Sequence, residues 1–347
     1  MRMNDNEYPI IDYEDNLTSK DFSQFLEAVF KDTYDRFKPF MKIPVDISFK
    51  VGDSLDEINA KADENAEPYV EIQRGFLYAL HKFYGTMANS QNIDFYKTIF
   101  GDIYDDKSLK MYATYMQVLS IRVLLFHEFG HIYNGHLQEL KGKNANLSIS
   151  ENETADLKDG DKEIIKWQAK EWDADRFCAY HMVPFQFQLQ EMLFLKELKL
   201  EAIYSNKIYM LYAIIFSVMV TFSILGAGRE DTTGKSYKEK RHLPERFRTS
   251  CFIDDILSEY NHIFGTNEAM GNKKKIEFIF VFEEWIDKYM EQVCNLPNWN
   301  TKNNNDIFDD NHRKYYKKVE TYKDQNLDRL LQKTNRCGLS KLQDKYK

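Results

Sequence analysis

The chain has 347 residues, enough to bury a full hydrophobic core and long enough for two domains or one large one. A content of 43% hydrophobic and 15% aromatic residues excludes an intrinsically disordered chain. The net charge of −8 is spread along the sequence, so nucleic-acid binding is not expected.

Residues 1–19 read as a loose polar arm with no basic start followed by an apolar run, hence no secretory signal and an expected cytoplasmic location. Helical spacing of Phe22, Phe25, Leu26, Val29 and Phe30 predicts a helix over Lys20 to Phe37, broken by Pro39 and Pro44. Val45 to Val51 alternates apolar and polar, the pattern of a half-buried strand. Asp53 to Pro68 is polar and irregular. Tyr69 to Arg74 is a second strand candidate, and an apolar helix follows Gly75 over Phe76 to Tyr84.

The next helix is the informative one. From Met111 to Phe126 its only charged residue is Arg122, so it is expected to be buried nearly all round. It then carries His127-Glu128-Phe129-Gly130-His131 and stops near Asn134-Gly135, a favourable helix end. Histidines four apart lie one turn above each other on one helix face, where their ring nitrogens can share one tetrahedral zinc. A glutamate beside the first histidine is placed to take a proton from a zinc-bound water. The plainer alternative, a pair of core histidines bonded to carbonyls, leaves Glu128 unexplained. His136, five residues beyond His131, has rotated off that face and is not expected to be a ligand.

Lys141 to Asp161 reads as an exposed loop. Lys162 to Met182 reads as a helix ending near Pro184, with Trp167, Glu171, Ala174, Asp175, Cys178 and Met182 on one face. Two carboxylates on an apolar stripe need a cation or donors, and a zinc held by two histidines needs a third protein ligand. Glu171 is therefore the expected third ligand, against the alternative of a buried salt bridge. Asp175, one turn on, is placed to hold a ligand histidine by its other ring nitrogen. Asp173 falls with Lys166 and Lys170 on a face expected to be solvated.

Residues 208–228 carry no charge, long enough for a membrane span. Tyr209, Tyr212, Ser217, Thr221, Ser223, two glycines and flanks without a basic bias favour a buried central helix over membrane contact. Arg229 to Arg248 reads as a solvated basic loop. Ile279, Phe282, Ile286, Met290 and Val293 stripe a further core helix over Lys273 to Val293, followed by a polar linker and a charged tail. Cys178, Cys251, Cys294 and Cys337 are far apart and read as free thiols. The expected fold class is α+β and mostly helical, divided into an N-terminal arm and helix (1–40), a central domain (41–265) and a helical C-terminal region (266–347).

With His127-Glu128-x-x-His131 followed by Glu171-x-x-Ala174-Asp175, the chain resembles the gluzincin metallopeptidases of the CAAX prenyl protease and HtpX type. It is also similar to the Lit-type phage-exclusion peptidases. Asn59-Ala60 before the second strand, Gly75-Phe76-Leu77 after it, Asn134-Gly135-His136, and His242, Pro244 and Arg246 or Arg248 fit the same pattern, over roughly residues 45 to 250. The prenyl-protease type has several membrane spans, and this chain has at most one. The resemblance implies a zincin-like catalytic domain with a small sheet, a Zn2+ cofactor held by His127, His131 and Glu171, and Glu128 as catalytic base. It also implies a protein or peptide substrate, pairing with Tyr69 to Arg74 as an added strand. His242, Arg246 and Arg248 are the candidates for oxyanion or substrate contacts. A zinc hydrolase acting on a non-peptide amide, or a zinc-binding sensor without protease activity, are the alternatives.

Overall fold

The computed structural model describes residues 19–41, 43–63, 67–89, 92–101, 106–141, 148–150, 160–228, 243–265, 272–294 and 310–334. The fold is α+β and mostly helical, with one small sheet. Its N-terminal half contains helix α1 (Ser19–Phe37), strands β1 (Ser48–Gly52), β2 (Ala60–Asp63) and β3 (Tyr69–Gln73), then helices α2 (Arg74–Met87), α3 (Ile93–Phe100) and α4 (Asp106–Tyr133). The short α5 (His136–Lys141) and β4 (Ser148–Ser150) lead to α6 (Gly160–Gln186), α7 (Leu189–Glu197), α8 (Glu201–Ser205) and α9 (Lys207–Gly228). The order closes with α10 (Glu245–Phe264), α11 (Asn272–Cys294) and α12 (Asp310–Thr334).

Helix α4 is the axis of the molecule because its sequence leaves no polar face to solvate. Residues 111 to 136 are buried without a break, and α1, α2, α6, α9 and the sheet pack around them. The lone charge Arg122 is wholly buried and donates to Glu191 on α7 at 2.7 Å and to Asp32 on α1 at 3.0 Å. Arg36 donates to the same two carboxylates, each at 3.0 Å, so two cations face two anions where one charge alone would be costly.

The uncharged segment 208–228 lies in the central helix α9, which is long and apolar enough to cross a membrane but is mostly buried inside the fold. Its hydroxyls explain why. Ser217 donates to the Met116 carbonyl at 3.1 Å, and Thr221 to the Ser120 carbonyl at 3.2 Å, while Ser120 donates back to the Ser217 carbonyl at 3.2 Å. These side chains stitch α9 onto α4.

The sheet runs β1-β3-β2-β4, with β1 parallel to β3 and the other pairs antiparallel. Strand β3 is therefore interior, hydrogen-bonded to β1 on one side and β2 on the other. This corrects the expectation that Tyr69 to Arg74 pairs with substrate, since both backbone edges are already used. Its Val70 and Ile72 are fully buried.

One hydrophobic core runs from Phe22 on α1 to Met290 on α11, so both flanking regions contribute to the central body. A smaller cluster, with Ala169, Leu243, Tyr315, Tyr316, Val319 and Leu327, packs α12 against the outer face of α6. The residues expected as the arm before 19, the linker within 298–309 and the tail beyond 334 lie outside the described residues. Of the expected loop 141–161, residues 148–150 form the edge strand β4. The C-terminal part of the basic run is helical rather than a solvated loop: α10 begins at Glu245, and Leu243 and Arg248 are buried.

His181 on α6 is 1% exposed among the rings of Phe177 (4.3 Å between centroids), Phe37 (5.0 Å) and Phe126 (6.3 Å). Neither of its ring nitrogens has a hydrogen-bond partner among the described residues. Burial lowers its pKa from 6.5 to about 3. A depressed folded-state pKa gives stability that is complete above the unfolded value and drains away as pH falls below it. By pH 5 the loss is about 2 kcal/mol. His181→Leu, close in volume, is expected to be as stable as the parent near pH 7.5 and about 2 kcal/mol less sensitive to the change to pH 5. Urea unfolding at the two pH values measures this, and parallel losses in both proteins would refute it.

Candidate metal centre

Helices α4 and α6 cross where both carry a small residue. A Cβ built on Gly130 would lie 2.9 Å from the Ala174 Cα and 3.1 Å from its carbonyl oxygen. These are backbone atoms and cannot rotate away, so the glycine inside the HExxH motif lets the histidine helix touch the carboxylate helix. Gly130→Ala gains roughly 1 kcal/mol in helix propensity but forces the helices apart at a cost of roughly 1–3 kcal/mol. A net loss of up to about 2 kcal/mol is expected in urea unfolding. A stabilised variant would contradict the close crossing.

At that crossing His127, His131 and Glu171 come together, each 1% exposed, with a ligand atom from each lying within 4.8 Å of the others. The Nε2 atoms of the histidines are 3.1 Å apart, and Glu171 places one carboxylate oxygen 3.3 Å from His127 Nε2 and the other 3.5 Å from His131 Nε2. Three donors aimed at one point can hold a metal ion, as the sequence expectation required. Glu128 is also 1% exposed.

The outer nitrogens of the rings are held differently. His127 Nδ1 approaches Asp175 Oδ1 to 2.8 Å, and Arg248 grips the same carboxylate through two hydrogen bonds of 2.8 Å. Burial opposes ionisation of Asp175, but the Arg248 guanidinium and His127 outweigh it and hold the carboxyl below the usual range. Burial also pushes the His127 imidazolium down, and Asp175 and then Glu171 reverse this and raise it to about 9. His131 goes the other way. Burial dominates, and its pKa falls to about 3 despite Glu171. His131 is thus a neutral ring, the form a metal ligand requires.

His131 Nδ1 meets His136 Nδ1 at 2.9 Å, and His136 Nε2 meets Asp173 Oδ2 at 3.1 Å. The Asn134 amide donates to the same Asp173 oxygen at 2.7 Å. Gly135, at φ +76, makes the turn that returns His136 beneath the ring of His131. Asp173 is therefore not a solvated residue. It is 8% exposed and Lys170 is fully buried, because the turn carrying Asn134 and His136 meets that face of α6 and α12 packs on the same helix.

The structure brings together His127, His131, Glu171 and Asp175, with Glu128 buried beside His127 on α4. Arg248 joins them through its two hydrogen bonds to Asp175. Arg246 points elsewhere, to Glu283 on α11 at 3.1 Å. His242 lies outside the described residues. The sequence reading missed Asn134, His136 and Asp173 as parts of the site; the Asn-Gly-His triplet was the available signal. Among known proteins, no family model, curated protein or solved structure matches this chain.

Proposed function

We propose that the protein is a zinc-dependent endopeptidase that hydrolyses peptide bonds of an intracellular protein. The observation that carries this reading is the convergence of two imidazole nitrogens and a carboxylate between α4 and α6, with Glu128 next to the first histidine. The donors suit zinc: two nitrogens and one oxygen donor, with a fourth position left for water or substrate. When bound, zinc brings the pKa of a coordinated water towards neutrality and polarises the scissile carbonyl. Glu128 takes a proton from the attacking water and delivers it to the amine nitrogen as the C–N bond breaks. Asp175, clamped by Arg248, fixes the ring of His127 so that Nε2 faces the shared point.

One observation favours a rival reading. His127, Glu128, His131 and Glu171 are each 1% exposed, so a polypeptide reaches them only after chain movement. A zinc-binding sensor or interaction protein needs no such opening. Two measurements separate the readings. Zinc content is expected to be one ion per chain in the wild type and much reduced in His127→Ala. A terminal-labelling survey of cell proteins is expected to show cleavages made by wild type and absent with Glu128→Gln. Zinc bound with identical surveys would select the sensor reading; undiminished zinc in His127→Ala would overturn the ligand set.

A further inference from the structure

The two ligand histidines are supported by different devices, and the second is not explained by the hydrolytic reading. We propose that Asp173 and His136 form a two-step relay that positions His131. Asp173 Oδ2 accepts from His136 Nε2–H, and His136 Nδ1 accepts from His131 Nδ1–H, which leaves the His131 Nε2 lone pair free to bind the metal. The inference rests on the metal-site reading and extends it to residues that do not touch the metal.

The geometry determines where the protons go. Two Nδ1 atoms 2.9 Å apart share one proton between neutral rings. If His136 supplied it, His136 Nε2 would turn a lone pair towards the Asp173 carboxylate at 3.1 Å, a repulsive pairing. His131 would then carry its own proton on Nε2, aimed at His127 and Glu171, and could not be a ligand there. With the proton on His131 Nδ1, both contacts of the relay are a donor meeting an acceptor, and the His131 Nε2 lone pair is left facing the point it shares with His127 and Glu171. Asn134 Nδ2, donating to the same Asp173 oxygen at 2.7 Å, agrees with a carboxylate that only accepts. The Lys170 ammonium donates to the His136 carbonyl at 3.4 Å, which tethers the relay to α6. His136 is wholly buried, so water does not compete for these bonds. His127 takes its carboxylate directly from Asp175, whereas His131 receives one through a second imidazole.

The test uses the full chain, labelled with 15N-histidine and loaded with zinc. Long-range proton–nitrogen NMR is expected to show His131 protonated at Nδ1 and His136 at Nε2, with signals assigned by their loss in variants. A His136 proton on Nδ1 overturns the relay. In parallel, chelator competition gives the zinc dissociation constant. His136→Phe is expected to weaken zinc about 10–100-fold, and Asp173→Asn, which keeps an acceptor oxygen but removes the charge, by a smaller factor. Circular dichroism checks that each variant is folded, and the wild-type NMR result stands if one is not. A wild type that binds no zinc removes the site and the relay together. Zinc binding left unchanged in folded His136→Phe overturns the relay alone.

Discussion

Glu128→Gln is expected to lower peptide hydrolysis by about 10²–10⁴-fold while leaving zinc bound. Glutamine keeps the shape of glutamate and its acceptor oxygen, but its amide cannot take a proton from water and carry it to the leaving amine. The residue is 1% exposed, and glutamine matches its volume, so the fold should be little disturbed. Catalysis and folding are thereby separated, which is rarely so for a substitution in a buried site. The measurement is turnover on a cleaved protein found in the terminal-labelling survey, set beside metal content by atomic emission. Retained turnover would deny Glu128 the role of base. Loss of zinc would instead make Glu128 a ligand, in place of one of the three residues assigned here.

The chemistry of α4 and α6 was legible because it is local. His127 and His131 are one turn apart on a helix with one charge in the preceding sixteen residues, and Glu171 and Asp175 interrupt an apolar stripe. Helical periodicity alone puts each pair on one face, and the crossing of Gly130 on Ala174 joins the two faces. What was illegible depends on elements distant in sequence. Asp173 looks solvated on a wheel of α6 drawn alone, and it is buried where the turn carrying Asn134 and His136 meets α6 and α12 packs on that helix. The position of β3 inside the sheet depends on β2, whose Ala60-Lys61-Ala62-Asp63 lacks the β-branched residues that mark a strand. The basic run before Arg248 reads as a loop because its charges mask the helix that begins at Glu245. Arg248 itself finds its partner 73 residues away in sequence.

That distant pairing carries the second large expected effect. Arg248→Met should destabilise the protein by about 3–5 kcal/mol, because it leaves the buried Asp175 carboxylate without the guanidinium that neutralises it. Arg248 and Asp175 are 1% and 2% exposed, so water cannot replace the lost bonds. Two escapes are open to the variant, and both harm the metal site. Asp175 can take up a proton, in which case it no longer holds His127 as a charged acceptor. Alternatively His127 keeps its proton to pair with Asp175; its imidazolium, already raised to about 9, then rises further and competes with zinc at neutral pH. Both routes predict weaker zinc binding at pH 7. Each route is uptake of a proton, so both predict that affinity recovers as pH is raised. Adding Asp175→Asn to Arg248→Met removes the uncompensated charge, so the double variant should regain much of the lost stability without regaining full zinc affinity. Urea unfolding and chelator competition on the four proteins of this cycle give both numbers. If Arg248→Met costs under about 1 kcal/mol, the guanidinium is not what holds this carboxylate in place, and the account of how His127 is oriented fails with it.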